Sequence, residues 1–196
     1  MSTQTQAADE HVVDTAGRLF AELGYDGTDL EMIATAVGRE SEASSLLKKG
    51  KQAIYRAVIG RSYERDLADL MAAMKEKPHD AEGIHHLVDA FLDSVLLHPE
   101  VPALWEQRAL KDAADLTFPE EEFPAQLPML LAGQTWEGVG PDRDLDFLGW
   151  TVMWMARGFV HGGLPDRNGV HRRAEDPVAL QRFRDGVHRM VACFIA

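Results

Sequence analysis

Apolar positions recur along most of the chain with the three-to-four-residue period of helices, and no stretch alternates convincingly as a strand would. Val12, Ala16, Leu19, Phe20 and Leu23 share one helical face, and Gly24 ends that helix as a C-cap residue. "YDGTD" reads as a turn in which Thr28 or Asp29 caps a second helix. The second stripe is Leu30, Ile33, Ala34 and Val37, ended by Gly38. A short third helix is expected from about Ser41 to about Lys49, with Gly50 as its breaker. A long fourth helix begins near Lys51 and runs to about Lys77, where Pro78 stops it.

Beyond Pro78, Ile84, Leu87, Val88, Phe91 and Val95 form a helix ended by His98-Pro99. "PALWEQRALKDAAD" and "MLLAGQTWEGV" read as helices, and the Pro-rich acidic "LTFPEEEFPAQLP" between them as a loop or broken turns. "LDFLGWTVMWMARGFVHGGL" is apolar nearly all round, which predicts burial on more than one side. "PDRNGVHRRAED" is a polar loop. Asp176-Pro177 starts the last helix, with Leu180, Phe183, Val187, Met190, Val191 and Phe194 on one face. The expected fold class is all-α.

Charge adds a local feature. The chain of 196 residues carries a net charge of −12, which argues against non-specific binding to a polyanion. Between Arg39 and Arg65, however, seven basic residues (Arg39, Lys48, Lys49, Lys51, Arg56, Arg61, Arg65) face three acidic ones, so this stretch holds +4 and the remainder −16. A basic island on an acidic body suggests an anion-facing surface. Cys193 is the single cysteine, so no intrachain disulfide forms, which fits a reducing cytoplasm. The polar, acidic start lacks the features of a signal peptide, and no stretch is apolar enough to span a bilayer; a cytoplasmic protein with no membrane partner is expected.

Three short helices with a tight Gly-containing turn between the second and third make a tri-helical DNA-binding plan. "VVDTAGRLFAELGYDGTDLEMIATAVG", followed at fixed distance by "KQAIYRAV", resembles the N-terminal domain of the TetR family of bacterial transcriptional repressors. The resemblance covers roughly residues 11–60. It implies a helix-turn-helix domain over 1–58 and a helical effector-binding and dimerisation domain over 59–196. It also implies a homodimer that reads a palindromic operator in double-stranded DNA, and a small-molecule effector that moves the fourth helix and releases the DNA. By position, Tyr25 matches the aromatic that packs the three helices, Thr28 the cap that touches a phosphate, and Lys51 the basic residue opening the fourth helix.

The third helix departs from the family pattern. Ser45 stands where the family places a phosphate-binding Tyr, Ser44 replaces a core aliphatic, Lys48 a core aromatic and Glu40 a hydroxyl cap. Glu42 adds negative charge to the DNA-facing side. The candidate DNA contacts are Thr28, Arg39, Ser41, Ser44, Ser45, Lys48, Lys49 and Lys51. The alternative reading is a TetR-like small-molecule-binding dimer whose degenerate recognition helix does not read DNA.

All four tryptophans lie after Pro78, and aromatics with a few polar groups can line an effector pocket as readily as they fill a core. The candidate effector contacts are Phe91, Trp105, Trp136, Trp150, Met153 and Trp154, with Gln107, Arg108 or His161 as polar anchors. Trp150 and Trp154, four apart on one helix, line either that pocket or a subunit interface. That helix and the last one are the expected dimer interface. No P-loop, nucleophile elbow or metal-binding motif occurs, so neither catalysis nor a cofactor or metal is expected.

Overall fold

The computed structural model describes residues 3–196, apart from the side chains of Thr3, Glu40 and Ser41. Its helices are α1 (Thr3–Leu23), α2 (Leu30–Val37), α3 (Ser45–Lys49), α4 (Lys51–Glu76), α5 (Ala81–Leu97), α6 (Glu100–Ala109), α7 (Phe118–Glu122), α8 (Gln126–Ala132), α9 (Leu145–Gly162) and α10 (Pro177–Ile195). A 3-10 segment, Gly38–Ala43, joins α2 to α3, and a two-residue hairpin pairs Leu164–Pro165 with His171–Arg172. The fold is all-α, and no helix among the described residues is long and apolar enough to cross a membrane.

The chain forms two compact units: residues up to Glu64 with Glu100–Phe123, and Arg65–Pro99 with Pro124–Ala196. The 100–123 segment packs on the N-terminal helices, so the first unit draws on two stretches of sequence.

The N-terminal core is built on the stripes read above. Val12, Ala16, Phe20, Ile33, Val37, Ile54, Tyr55 and Val58 are buried in it. Leu23 and Leu30, at the ends of their stripes, are exposed. Aromatic rings fill the centre: Phe20 meets Tyr55 edge-on with centroids 5.0 Å apart, and Tyr25 lies 4.8 Å from Tyr55. Burial pushes the Tyr55 phenol pKa up, and among the described residues its hydroxyl has no hydrogen-bond partner.

The turn between α1 and α2 is closed by side chains. Gly24 takes φ 76°, a conformation that glycine adopts without strain. Asp29 caps α2 by accepting from the Met32 amide at 2.7 Å. The Asp112 carboxylate accepts the amides of Tyr25 (2.7 Å) and Asp26 (2.8 Å), and Asp26 in return accepts the amide of Ala113 at 3.1 Å. Lys111 and Ala113 themselves take positive φ, which ends α6 sooner than the periodicity of "PALWEQRALKDAAD" suggests.

In the C-terminal unit α5, α8, α9 and α10 enclose a second core around Leu87, Leu127, Leu131, Leu148, Val152 and Val187. Phe159 of α9 stacks flat on Phe183 of α10, centroids 4.1 Å apart. Helices α8 and α9 touch through Gly149, where a Cβ would fall 2.5 Å from Cα of Pro128. A Cβ on Gly158, later in the same helix, would meet nothing within 4 Å.

These two glycines give a paired prediction. Gly149→Ala overpacks the α8–α9 contact and destabilises the protein by about 1–3 kcal/mol. Gly158→Ala is neutral or stabilises it by up to about 1 kcal/mol, because helix propensity is gained in open space. Denaturant unfolding of the two variants beside the parent checks both.

Candidate nucleic-acid interface

The third helix of the tri-helical head is a single short turn. The sequence between Gly38 and Ser44 carries no apolar period to extend it, and the backbone winds there as 3-10 instead. Ser44 takes extended backbone angles and caps α3, its hydroxyl accepting from the Leu47 amide at 3.2 Å.

What fixes this turn is a residue of α1. The Asp9 carboxylate accepts from the Ser44 hydroxyl (2.7 Å), the Ser45 amide (2.8 Å), the Ser45 hydroxyl (2.6 Å) and the Leu46 amide (3.0 Å). Burial alone would raise the pKa of this carboxyl. The donors from Ser45 and Ser44 and the amides of Leu46 and Ser45 outweigh burial and hold it below the usual carboxylate value. A negative group at the amino end of a helix also meets the favourable end of the peptide dipoles.

This arrangement sorts the candidate DNA contacts. Ser44 is fully buried and Ser45 half-buried, both with their hydroxyls committed to Asp9. Thr28 is also buried and donates to the Gly24 carbonyl at 2.7 Å, so its hydroxyl closes the turn. Lys51 reaches the carbonyls of Tyr25 and Thr28, each at 2.9 Å, with its ammonium 4.0 Å from the Tyr25 ring centroid. It braces the α1–α2 turn against the start of α4. Ser41 has its side chain outside the described residues. Arg39, Lys48 and Lys49 are exposed and, among the described residues, have no carboxylate partner.

The basic island is therefore smaller in space than in sequence. Arg56 pairs with Glu122 and lies 4.2 Å over the Phe118 ring. Arg61 pairs with Asp14 at 2.7 Å and Arg65 with Asp66 at 3.0 Å. A groove of about 670 Å³ runs beside Arg56 and Arg61, lined also by Leu46, Lys49, Gln52, Glu64 and Phe123.

The effector candidates divide between the units. Trp105 packs half-buried against the N-terminal core. In the same unit the Arg108 guanidinium donates to the carbonyls of Ala113 (2.6 Å) and Leu116 (2.9 Å) and pairs with Glu120 at 2.5 Å. Trp136 is buried in the C-terminal core, its indole donating to the Leu131 carbonyl at 2.8 Å. Phe91 and Met153 pack partly buried against that core. Trp150, Trp154 and His161 lie on α9, where Trp154 is 53% exposed and His161 is exposed.

The sequence reading missed Asp9 and Asp112, each of which looks like an ordinary surface carboxylate. The one available signal was the Ser44-Ser45 pair, two hydroxyls at a helix start that need an acceptor once buried.

No protein-family model and no curated protein matches the chain. Solved structures do. AibR in complex with isovaleryl coenzyme A and operator DNA aligns over 96% of this chain and 98% of its own, with a TM-score of 0.62 at 16% identity. The SmeT–triclosan complex aligns over 97% and 92%, with a TM-score of 0.60 at 19% identity. A TetR-like transcriptional regulator from Rhodococcus sp. RHA1 aligns over 94% and 96%, with a TM-score of 0.59 at 16% identity. The tri-helical head, the short α3 and the helical C-terminal unit together have the fold of the TetR-family transcriptional regulators.

Proposed function

We propose that the chain is a TetR-family transcriptional regulator, a repressor that binds a palindromic double-stranded DNA operator as a homodimer and responds to a small-molecule effector. The observation that carries this reading is the tri-helical head whose exposed cations, Arg39, Lys48 and Lys49, cluster on and beside α3, within a fold matched end to end by AibR in complex with operator DNA. In this reading Lys48 and Lys49 meet phosphates, and Asp9, Thr28 and Lys51 hold the head in shape. Neither catalysis nor a cofactor has a part in it.

The dimer rests on α9. Phe147 and Trp154 are 50% and 53% exposed, and Trp150 lies 6.1 Å from Trp154, centroid to centroid. A contiguous aromatic ridge left in water favours a partner, and a second copy of the chain supplies one of matching chemistry. The effector site is proposed around Phe91 and Met153, since Trp136 and Arg108 are engaged within the fold and Trp150 belongs to the ridge. AibR and SmeT are solved with isovaleryl coenzyme A and triclosan, so the class of effector stays open for this chain.

A second reading has its own support. With Ser44 buried and Glu42 exposed beside the cations, α3 carries little base-reading chemistry. That favours a ligand-binding dimer that does not read DNA. Selection of duplexes from a random pool by purified protein separates the two: the regulator enriches a two-fold symmetric site, and the alternative enriches none.

For the selected duplex, log affinity falls with log salt with a slope of about −0.9 per phosphate contact. Lys48→Ala with Lys49→Ala makes that slope shallower by about 2, with affinity lost alike across sequences. Placing a charge on the ridge, Trp154→Arg, shifts the protein from dimer to monomer in sedimentation while its helical circular dichroism is kept.

A further inference from the structure

Two histidines 103 residues apart in the chain meet between α5 and α10, with Nδ1 of His85 2.7 Å from Nδ1 of His188. The far side of the His188 ring is tied as well, its Nε2 2.8 Å from Oδ1 of Asp89. Arg184 of α10 holds Asp89 at 3.1 Å and pairs with Asp93. Helix α4 contributes Glu76, 2.9 Å from Nε2 of His86, and Asp69, which lines a groove with Asp89, Asp93 and Arg184. Helix α8 has no titratable side chain, and α9 carries Asp146, Arg157 and His161. Apart from burial, the charges that set the state of the His85 ring are those of His188 and Asp89.

Proton counting defines what this contact can do. Two ring nitrogens 2.7 Å apart form a hydrogen bond only when one carries a proton and the other a lone pair. With both rings neutral, His188 donates Nε2–H to Asp89 and accepts at Nδ1 from His85. With one proton added, the His188 imidazolium donates at both ends and His85 accepts. A second added proton sets N–H against N–H, and two positive rings cannot keep that distance.

We propose that His85, His188 and Asp89 form a proton-counting latch between α5 and α10, closed while at most one ring is charged and open when both are. The latch lies wholly in the C-terminal unit and is independent of whether the protein reads DNA. Burial, followed by repulsion from His188, lowers the His85 pKa against the pull of Asp89. A histidine whose folded pKa is depressed binds fewer protons folded than unfolded. The contribution of the latch is therefore complete above the ordinary histidine value of about 6.5 and is lost as pH falls from there through the lower, folded value.

Thermal unfolding of the full chain between about pH 8 and about pH 5 tests this, comparing the parent with His85→Gln, whose side chain stays polar and uncharged throughout. NMR titration of the His85 ring proton in the parent is the second readout. The parent midpoint drops more steeply than that of the variant below about pH 6.5, by roughly 3–5 °C for each tenfold loss in folding constant. The His85 ring titrates below the ordinary histidine value. Parallel pH curves for the two proteins, or a His85 ring titrating at the ordinary value, overturn the latch. If His85→Gln fails to fold, the titration of the parent decides alone.

Discussion

One carboxylate organises the N-terminal head. Asp9 receives two hydroxyls and two backbone amides from Ser44, Ser45 and Leu46, and so makes a helix of five residues out of a segment too short to hold itself. An isolated helix of that length is far below what water permits, because nucleation costs more than one turn of hydrogen bonds returns. Hydrogen bonds to a charged group contribute about 1.5–3 kcal/mol each, enough to offset that cost when several converge. The apolar side of α3 adds little, since Leu46 and Leu47 are only half-buried. The head thus depends on a polar anchor from α1 in the place where packing would ordinarily hold a reading helix.

The same anchor decides which chemistry is left for a partner. The amides at the start of α3 and the hydroxyls of Ser44 and Ser45 already face an anion that belongs to the chain. On the function proposed above, a nucleic acid meets the other end of the turn, where Lys48 and Lys49 stand exposed, together with Arg39 before it. Of the seven cations in the basic stretch, Lys51 braces a turn and Arg56, Arg61 and Arg65 are paired with carboxylates. Exposed ion pairs are individually weak, so Arg56 and Arg61 could exchange a carboxylate for a phosphate at little cost. Lys51 has two of its three ammonium protons committed to the carbonyls of Tyr25 and Thr28, which holds it at the turn.

Much of the fold was legible because helix period, glycine stops and proline starts agreed over long segments. Val12, Ala16, Phe20, Ile33 and Val37 fall where the stripes put them. Legibility failed where short polar residues replaced the period. The Gly38–Ala43 stretch winds as 3-10, and the left-handed Lys111 and Ala113 end α6 without a glycine to announce it. The hairpin at Leu164–Arg172 is too short to show alternation. The candidate sites were less legible than the fold, because a sequence lists charges without their partners. Lys48 and Lys51 look alike in the chain, yet one is exposed and the other is committed to Tyr25 and Thr28. Asp9 with Ser44, like His85 with His188, is a pairing between distant segments that no local spacing encodes.

Hydrogen exchange at the Ser45 and Leu46 amides, measured in the parent and in Asp9→Ala with the Val12 and Phe20 amides of α1 as reference, addresses the anchor most directly. The account predicts slow exchange at both amides in the parent and fast exchange at both in the variant, with α1 protected in each. Equal protection of Ser45 and Leu46 with and without the carboxylate would contradict it.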